Sequence, residues 1–367
     1  MLEMSKSYDE IVGYDVLDRF KREAQKRAQE TNIHLERFGL EEIPECRGGS
    51  AHVVRMQKRQ RLTLAHTNEG LGTKNRADRT FIASGETRYK ELAQCNAAMI
   101  FNDLATVGAS PYSFMLHLAV GNKEWFNNEK RWHALIDGTV WSCHLVECTL
   151  GGWETAVLIG LVGREEAILS GSASGICRYG HIRRDIEDRD VIMFLPSSGV
   201  HANGLSLVYK VMGSMWRHPN TRLSVETTFR EALLKPTILY GAVVEDCLRH
   251  KARIHYAINI TGHGWRKLLR HPDPWLYIVE ELPKPQPIFQ WIQRRGKLDD
   301  REMYKTFNMG AGFALIVPKK DVRTIISISK IFGIEAMVGG HVEKSSEKRV
   351  VIKPKGIEFT AKDLEIS

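Results

Sequence analysis

The chain has 367 residues, enough for two domains of ordinary size, and 43% of them are hydrophobic, which excludes a disordered chain and predicts a sizeable core. The net charge of +8 favours anionic ligands such as nucleotides and phosphorylated sugars. Nucleic acid is the competing partner, but the basic residues are interleaved with acids, as in Arg183-Arg184-Asp185-Ile186-Glu187-Asp188-Arg189-Asp190, and no zinc-finger spacing or RNA-recognition aromatic motif occurs.

In chain order, residues 1–30 predict a polar helix that lies on the surface or reaches a partner. Residues 31–60 read as irregular and hold Arg47-Gly48-Gly49-Ser50-Ala51-His52, a glycine-rich turn that covers a ligand or is a plain loop. A β-prone run, Arg61-Leu62-Thr63-Leu64-Ala65-His66, leads to Thr67-Asn68-Glu69-Gly70-Leu71-Gly72-Thr73-Lys74. Glycines such as Gly70 and Gly72 let backbone N–H groups approach and cradle phosphate oxygens. Lys74 supplies a point charge for an anion, and Glu69 a hard oxygen ligand for magnesium. This is not a Walker loop, and an ordinary strand-to-helix turn is the alternative reading.

Residues 88–107 predict a helix, with Leu92, Ala93, Ala97, Ile100 and Leu104 at helical spacing and Asn102-Asp103 near its end. Gly108-Ala109-Ser110-Pro111 stops it, a strand follows at 114–120, and a second helix is expected over 132–146. Leu150-Gly151-Gly152-Trp153-Glu154-Thr155-Ala156 reads as a glycine turn with an acid just past it, followed by a β-prone run at 156–162. A second unit opens near Gly175. Its first strand, 191–195, ends in Pro196-Ser197-Ser198-Gly199-Val200-His201-Ala202-Asn203-Gly204 before a helix at Leu205–Met212, an arrangement that suits an anion. Leu233-Leu234-Lys235-Pro236-Thr237 precedes another helix. Ala257-Ile258-Asn259-Ile260-Thr261-Gly262-His263-Gly264 is again strand then glycine turn. Residues 303–312 lead into a strand at 313–317, and the tail predicts a helix at 320–332 with strands near 336–342 and 349–352. The alternation argues for an α+β or α/β fold with ligand chemistry at the glycine turns.

The six cysteines form no Cys-x-x-Cys pair, so neither a zinc site nor a redox motif is indicated. Cys143-His144 and Cys148 read as ligands or as small core residues in a reducing cytoplasm. No membrane-length apolar stretch or signal-peptide core occurs, so a cytoplasmic protein without a membrane partner is expected.

Taken in order, these turns resemble the aminoimidazole ribonucleotide synthetase (phosphoribosylformylglycinamidine cyclo-ligase) family over nearly the whole chain. The resemblance rests on Glu69-Gly70-Leu71-Gly72-Thr73-Lys74, Met99 with Asn102-Asp103-Leu104, and Ser197-Ser198-Gly199-Val200-His201-Ala202-Asn203-Gly204. Leu234-Lys235-Pro236-Thr237, Ile260-Thr261-Gly262 and the stretch 303–312 complete it. It implies an N-terminal α+β domain, residues 1–175, whose sheet pairs in a homodimer. It implies a C-terminal α/β sandwich, residues 176–367. It further implies ATP, magnesium and a formylglycinamidine ribonucleotide substrate.

By the same resemblance Glu69, Asp103 and Glu154 serve magnesium and phosphate. Gly49, Gly70, Gly72, Thr73 and Lys74 serve ATP and phosphate, Lys74 also being placed in catalysis with His201 and Asn203, which contact substrate or transferred phosphoryl. Thr261, Gly262 and His263 hold the substrate phosphate. The chain departs from the family pattern at Glu69 (for Asp), at Cys95 (for Asp), at Trp153, inserted between glycine and acid, and at His263 (for Gly). The Glu-Met-Pro that follows becomes Val157-Leu158-Ile159, and the N-terminal glycine loop is reduced. A divergent cyclo-ligase is the first reading. A paralogue that binds nucleotide with an altered substrate, or without turnover, is the second. Selenophosphate synthetase shares the superfamily and expects a reactive cysteine near Cys46, but the stretch 303–312 favours the cyclo-ligase.

Overall fold

The computed structural model of the chain describes residues 39–46, 51–56, 62–80, 86–213, 221–224 and 227–364. The polar helix expected over 1–30 and the turn carrying Gly49 lie outside the described residues.

Six strands of the first half form one sheet: β1 (Leu40–Glu42), β2 (His52–Met56), β3 (Thr63–Gly70), β4 (Ser110–Val120), β5 (Thr149–Val157) and β6 (Ala167–Ile176), in the order β1-β2-β3-β6-β4-β5. Every pairing is antiparallel except β4 with β5. A parallel pair needs a long crossover, and a helix supplies it. That helix, α2 (Glu129–Leu145), lies beside α1 (Tyr89–Ala105). They meet closely at Gly138, where a Cβ would stand 2.4 Å from the Lys90 carbonyl oxygen.

The expected apolar positions of α1 are all buried, and so are Cys95, Asn96, Asn102 and Asp103. Asn102 and Asp103 thus face the protein interior and not solvent. The outer face of the sheet is open: Met115 is 54% and Ile168 45% exposed.

Three expectations in this half are corrected. Glu69 and Gly70 belong to β3 and not to a turn, which begins at Leu71. Gly151 and Gly152 sit inside β5, and that strand ends at Val157, so most of the run expected over 156–162 lies beyond it. β1, β2 and β6 were not expected. β6 is Ala-Ile-Leu-Ser-Gly-Ser-Ala-Ser-Gly-Ile, poor in strand formers. Its small residues are required by packing: a Cβ on Gly171 would lie 2.6 Å from the Met115 carbonyl oxygen and 2.8 Å from the Phe114 ring.

The second half forms a seven-stranded sheet from β7 (Val191–Pro196), β8 (Tyr256–Asn259), β9 (Trp275–Val279), β10 (Ala311–Val317), β11 (Met337–Lys344), β12 (Arg349–Ile352) and β13 (Ile357–Thr360), in the order β13-β12-β9-β11-β7-β10-β8. Its helices are α3 (Leu205–Met212), α4 (Phe229–Leu234), α5 (Gly241–Arg249), α6 (Pro287–Gly296), α7 (Asp300–Thr306), α8 (Val322–Ile331) and α9 (Ala361–Leu364). β10 is buried at every position, which is why its sequence, Ala-Gly-Phe-Ala-Leu-Ile-Val, is apolar without alternation. Phe313 and Leu315 pack with Val243, Val244 and Ile325 on the α5–α8 side. Ala314 and Ile316 pack with Trp265, Phe289 and Met303 on the other. This is the α+β and α/β-sandwich architecture expected from the sequence. β9, β13, α4, α6, α7 and α9 are additions that the sequence reading did not name.

Candidate functional site

The glycine turns of both halves meet along α1. Gly72 has φ +63° and opens a 3-10 stretch, Gly72–Thr80, which places Thr73 and Lys74 against the second half. The Thr73 and Ser206 hydroxyls are 3.3 Å apart, and the Tyr209 hydroxyl donates to the Thr73 carbonyl at 2.9 Å. Lys74 is fully buried. Its Nζ donates to the His201 carbonyl at 2.6 Å and to the Lys235 carbonyl at 3.3 Å. The ammonium expected to face phosphate instead pins the His201 turn and the 235–240 segment to the first half.

The same segment is held at further points. Gln94 Nε2 donates to the Thr237 carbonyl at 3.1 Å, Cys95 Sγ accepts from Thr237 N at 3.4 Å, and Asn102 accepts from Tyr240 N and donates to the Ile238 carbonyl, both at 2.8 Å. Cys95, standing where the family pattern has Asp, thus takes a backbone hydrogen bond. The Leu-Lys-Pro-Thr motif is an interdomain strap whose backbone groups are satisfied by side chains of α1 and Lys74.

His201 sits at φ +55°, a costly conformation for a side chain with a Cβ. It is buried, and Nε2 accepts from the Ser198 backbone N–H at 3.1 Å. An accepting Nε2 puts the proton of the neutral ring on Nδ1. Burial, reinforced by the Lys74 charge, lowers the His201 pKa from 6.5 to about 3, so the ring stays neutral. Its Nδ1–H is buried without a protein acceptor, and so is Nδ2 of Asn203 in the same turn. Two donors left without acceptors in one glycine-bounded turn are what an oxygen-rich ligand needs. Room for the ring comes from Gly312, where a Cβ would collide with the Tyr240 hydroxyl and stand 2.7 Å from His201 Cε1.

The third turn begins where β8 ends. Asn259 Nδ2 donates to Asp103 Oδ1 at 2.8 Å. Thr261 Oγ1 takes a short hydrogen bond from Lys267 Nζ. Burial raises the Asp103 pKa, and Lys267 first, then the Asn259 bond and Arg270, oppose that rise. His263 is buried at φ +70°, where the family pattern has glycine. Gly262 beside it is part-exposed. The sequence reading missed Lys267 and Asn259. A lysine six residues beyond Thr261, in the basic run Trp265-Arg266-Lys267-Leu268-Leu269-Arg270, was the available signal.

The acids expected at the metal divide between two faces. Glu69 heads the cross-strand row Glu69-Gly171-Leu116-Trp153, on the side of the sheet that α1 covers. Glu154 ends the adjacent row Gly70-Ser170-His117-Glu154, so it projects from the opposite, open face, and it is exposed. Within one subunit Glu69 and Glu154 do not reach one ion. Among the described residues, the group of three metal-type side chains within 4.8 Å is elsewhere, at Glu187, Asp190 and His255. There Asp190 Oδ2 already accepts from Glu187 N at 2.8 Å and lies 2.7 Å from His255 Nδ1, a lock at the root of β7.

Comparison with known proteins joins this geometry to a family. Residues 48–177 match the AIR synthase related protein, N-terminal domain, and residues 188–353 the C-terminal domain. The chain belongs to the AIR synthase related family. It is 34% identical over 288 residues to the phosphoribosylformylglycinamidine cyclo-ligase of Methanocaldococcus jannaschii, covering 77% of this chain and 79% of that protein. It is 32% identical over 332 residues to the enzyme of the same name from Caldicellulosiruptor saccharolyticus, covering 88% and 94%. A solved structure described as AaThiL complexed with AMPPCP and TMP has the same fold, with TM-score 0.56 at 14% identity over 85% of this chain and 91% of that one. In family terms, the three turns read from the sequence are brought to one interdomain seam, while Glu154 stands apart from it.

Proposed function

We propose that this family member is an ATP-dependent cyclo-ligase. It converts formylglycinamidine ribonucleotide to aminoimidazole ribonucleotide, with ADP and phosphate as the other products. The observation that carries the reading is the pair of acceptor-less donors, His201 Nδ1–H and Asn203 Nδ2, in the turn that Lys74 clamps to the first half. An amide oxygen leaves poorly, and transfer of the ATP γ-phosphoryl to it makes a good leaving group. A nitrogen of the same molecule then attacks that carbon, phosphate departs and the ring closes. A protein serves such chemistry by positioning and by donors aimed at developing negative charge. A neutral His201 offers a hydrogen bond without taking the phosphoryl oxygen's proton.

In this reading backbone groups of Gly70, Gly72 and Thr73, with Gly49, hold nucleotide phosphates, and Thr261, Gly262 and His263 hold the ribose phosphate. Lys74 positions the turn and adds its charge to the seam. Glu69 and Asp103, on one side of the sheet, would hold magnesium, which supplies charge neutralisation to the phosphates when bound. Glu154 joins them only from a second subunit. That fits a homodimer paired through the open face of the first sheet; the same reading puts the domain boundary at residues 175–176 and the protein in the cytoplasm.

One observation favours the paralogue reading. His263 fills the backbone position where glycine would let N–H groups reach a phosphate, and it is buried there. The deciding experiment is ADP release by the purified protein with formylglycinamidine ribonucleotide, compared with ATP alone. Substrate-dependent ADP, lost in His201→Asn, supports the ligase. Nucleotide binding without substrate-dependent ADP supports the paralogue.

A further inference from the structure

The last turn of α2 closes in a Schellman arrangement. Cys148 N donates to the Cys143 carbonyl at 2.9 Å, Glu147 N to the His144 carbonyl at 3.3 Å, and Glu147 takes the left-handed conformation at φ +54°. This motif brings the side chain two residues past the cap against the third-last helical residue. The two residues so placed are Cys148 and Cys143, and the Cys148 thiol donates to the Thr149 carbonyl at 3.5 Å. Both are free thiols, Cys143 buried and Cys148 half-buried at the root of β5. We propose that Cys143 and Cys148 form a reactive dithiol, a modification site that hydroperoxides convert to an intrachain disulfide and that trivalent arsenicals bridge.

The chemistry balances with hydrogen peroxide as the oxidant. A thiolate sulfur displaces hydroxide from the peroxide, breaking O–O and forming S–O. The second sulfur then displaces that oxygen, breaking S–O and forming S–S. The two sulfurs lose two electrons in all, peroxide gains them, and the two thiol protons leave in two waters. The neighbouring Cys148 thiol lowers the pKa of Cys143, whereas Cys148 itself is held well above the ordinary range, so Cys143 is the attacking thiolate. The remaining described cysteines contrast with this. Burial pushes the Cys177 thiol up to about 12, with its Sγ donating to the Val107 carbonyl, and also pushes Cys247 up to about 12 and Cys46 upward. Cys95 Sγ lies between Thr237 N and the Lys235 carbonyl.

The experiment uses full-length, reduced protein. After graded hydrogen peroxide, remaining thiols are capped with N-ethylmaleimide and peptides are mapped by mass. The expected result is a loss of two capped thiols, with the first disulfide joining Cys143 to Cys148. Cys148→Ser should abolish it and leave a dimedone-reactive sulfenic acid on Cys143. Wild-type protein should also take one equivalent of phenylarsine oxide on the same peptide, a readout that needs no variant to fold. A first disulfide elsewhere, such as Cys46–Cys177, would overturn the proposal. So would full capping of both residues after the other cysteines have oxidised, or arsenical binding that survives Cys148→Ser.

Discussion

The two long edges of α1 and α2 face opposite fates. Along α1, at the interdomain seam, Lys74, Asn102, Asp103 and His201 are buried, and each is held by named partners across the domains. At the far end of α2 and along β5, Cys148, Trp153 and Glu154 stand at or near the surface on an edge strand. Charge at the seam is desolvated, so removing one partner leaves another stranded in a low dielectric. Charge at the edge is solvated, so removing it costs the fold little. Substitutions at the seam should therefore move stability and function together. Those at the edge should move function alone or nothing.

The largest break is expected at Asp103. Asp103→Ala removes the acceptor of Asn259 and the carboxyl beside the buried Lys267. Leaving the buried Asn259 amide without its acceptor, and removing a negative charge near a buried ammonium, costs roughly 3 kcal/mol or more. Urea denaturation should show the midpoint falling, and a midpoint near wild type would mean that Asn259 and Lys267 do not depend on Asp103. Next comes Lys74→Met, which keeps the volume and removes two hydrogen bonds from an ammonium. A loss of about 2–3 kcal/mol is expected, with ADP release lost as well. Stable protein with normal turnover would remove Lys74 from the seam's working parts.

A pH series sharpens the comparison without a structural lesion. The His201 pKa is depressed to about 3 in the folded chain from an ordinary 6.5. The unfolded chain therefore binds the extra proton first. The resulting stability is complete above pH 6.5 and is lost as pH falls from there toward 3, with a slope of about 1.4 kcal/mol per pH unit for one proton. His66, His181 and His271 are lowered by burial in the same direction. His201→Gln should reduce the slope between pH 6 and 4 by about one proton. An unchanged slope would place the titration in the other histidines.

The seam was legible in the sequence as separate turns, because glycine, lysine and acid at strand ends carry local chemical signals. Their convergence was not legible: that Lys74 would spend its donors on the carbonyls of His201 and Lys235 depends on contacts more than 120 residues apart. β6 was invisible because its serines and glycines answer to the close packing of Phe114 and α1, not to strand propensity. Glu154 was read as a turn residue because Gly151-Gly152 usually marks a turn. Inside β5 those glycines are strand residues, and that changes the face from which the acid projects.

The smallest effect on the fold should come from Glu154→Gln. The side chain is exposed on an edge strand, and surface substitutions of this kind stay within about 0.5 kcal/mol, so the melting temperature should not move. If Glu154 reaches the magnesium site of a second subunit, the magnesium needed for half-maximal ADP release should rise severalfold. Light scattering should still give a dimer. The contrast with Asp103 is then complete: one acid lost at the seam destabilises the chain, and one lost at the edge weakens only the ion. If the magnesium dependence is unchanged while the protein remains dimeric, Glu154 is a solvated edge residue and the metal set contracts to Glu69 and Asp103. If light scattering gives a monomer for wild type at micromolar concentration, the route from Glu154 to the ion is closed, because its own subunit turns it away from both.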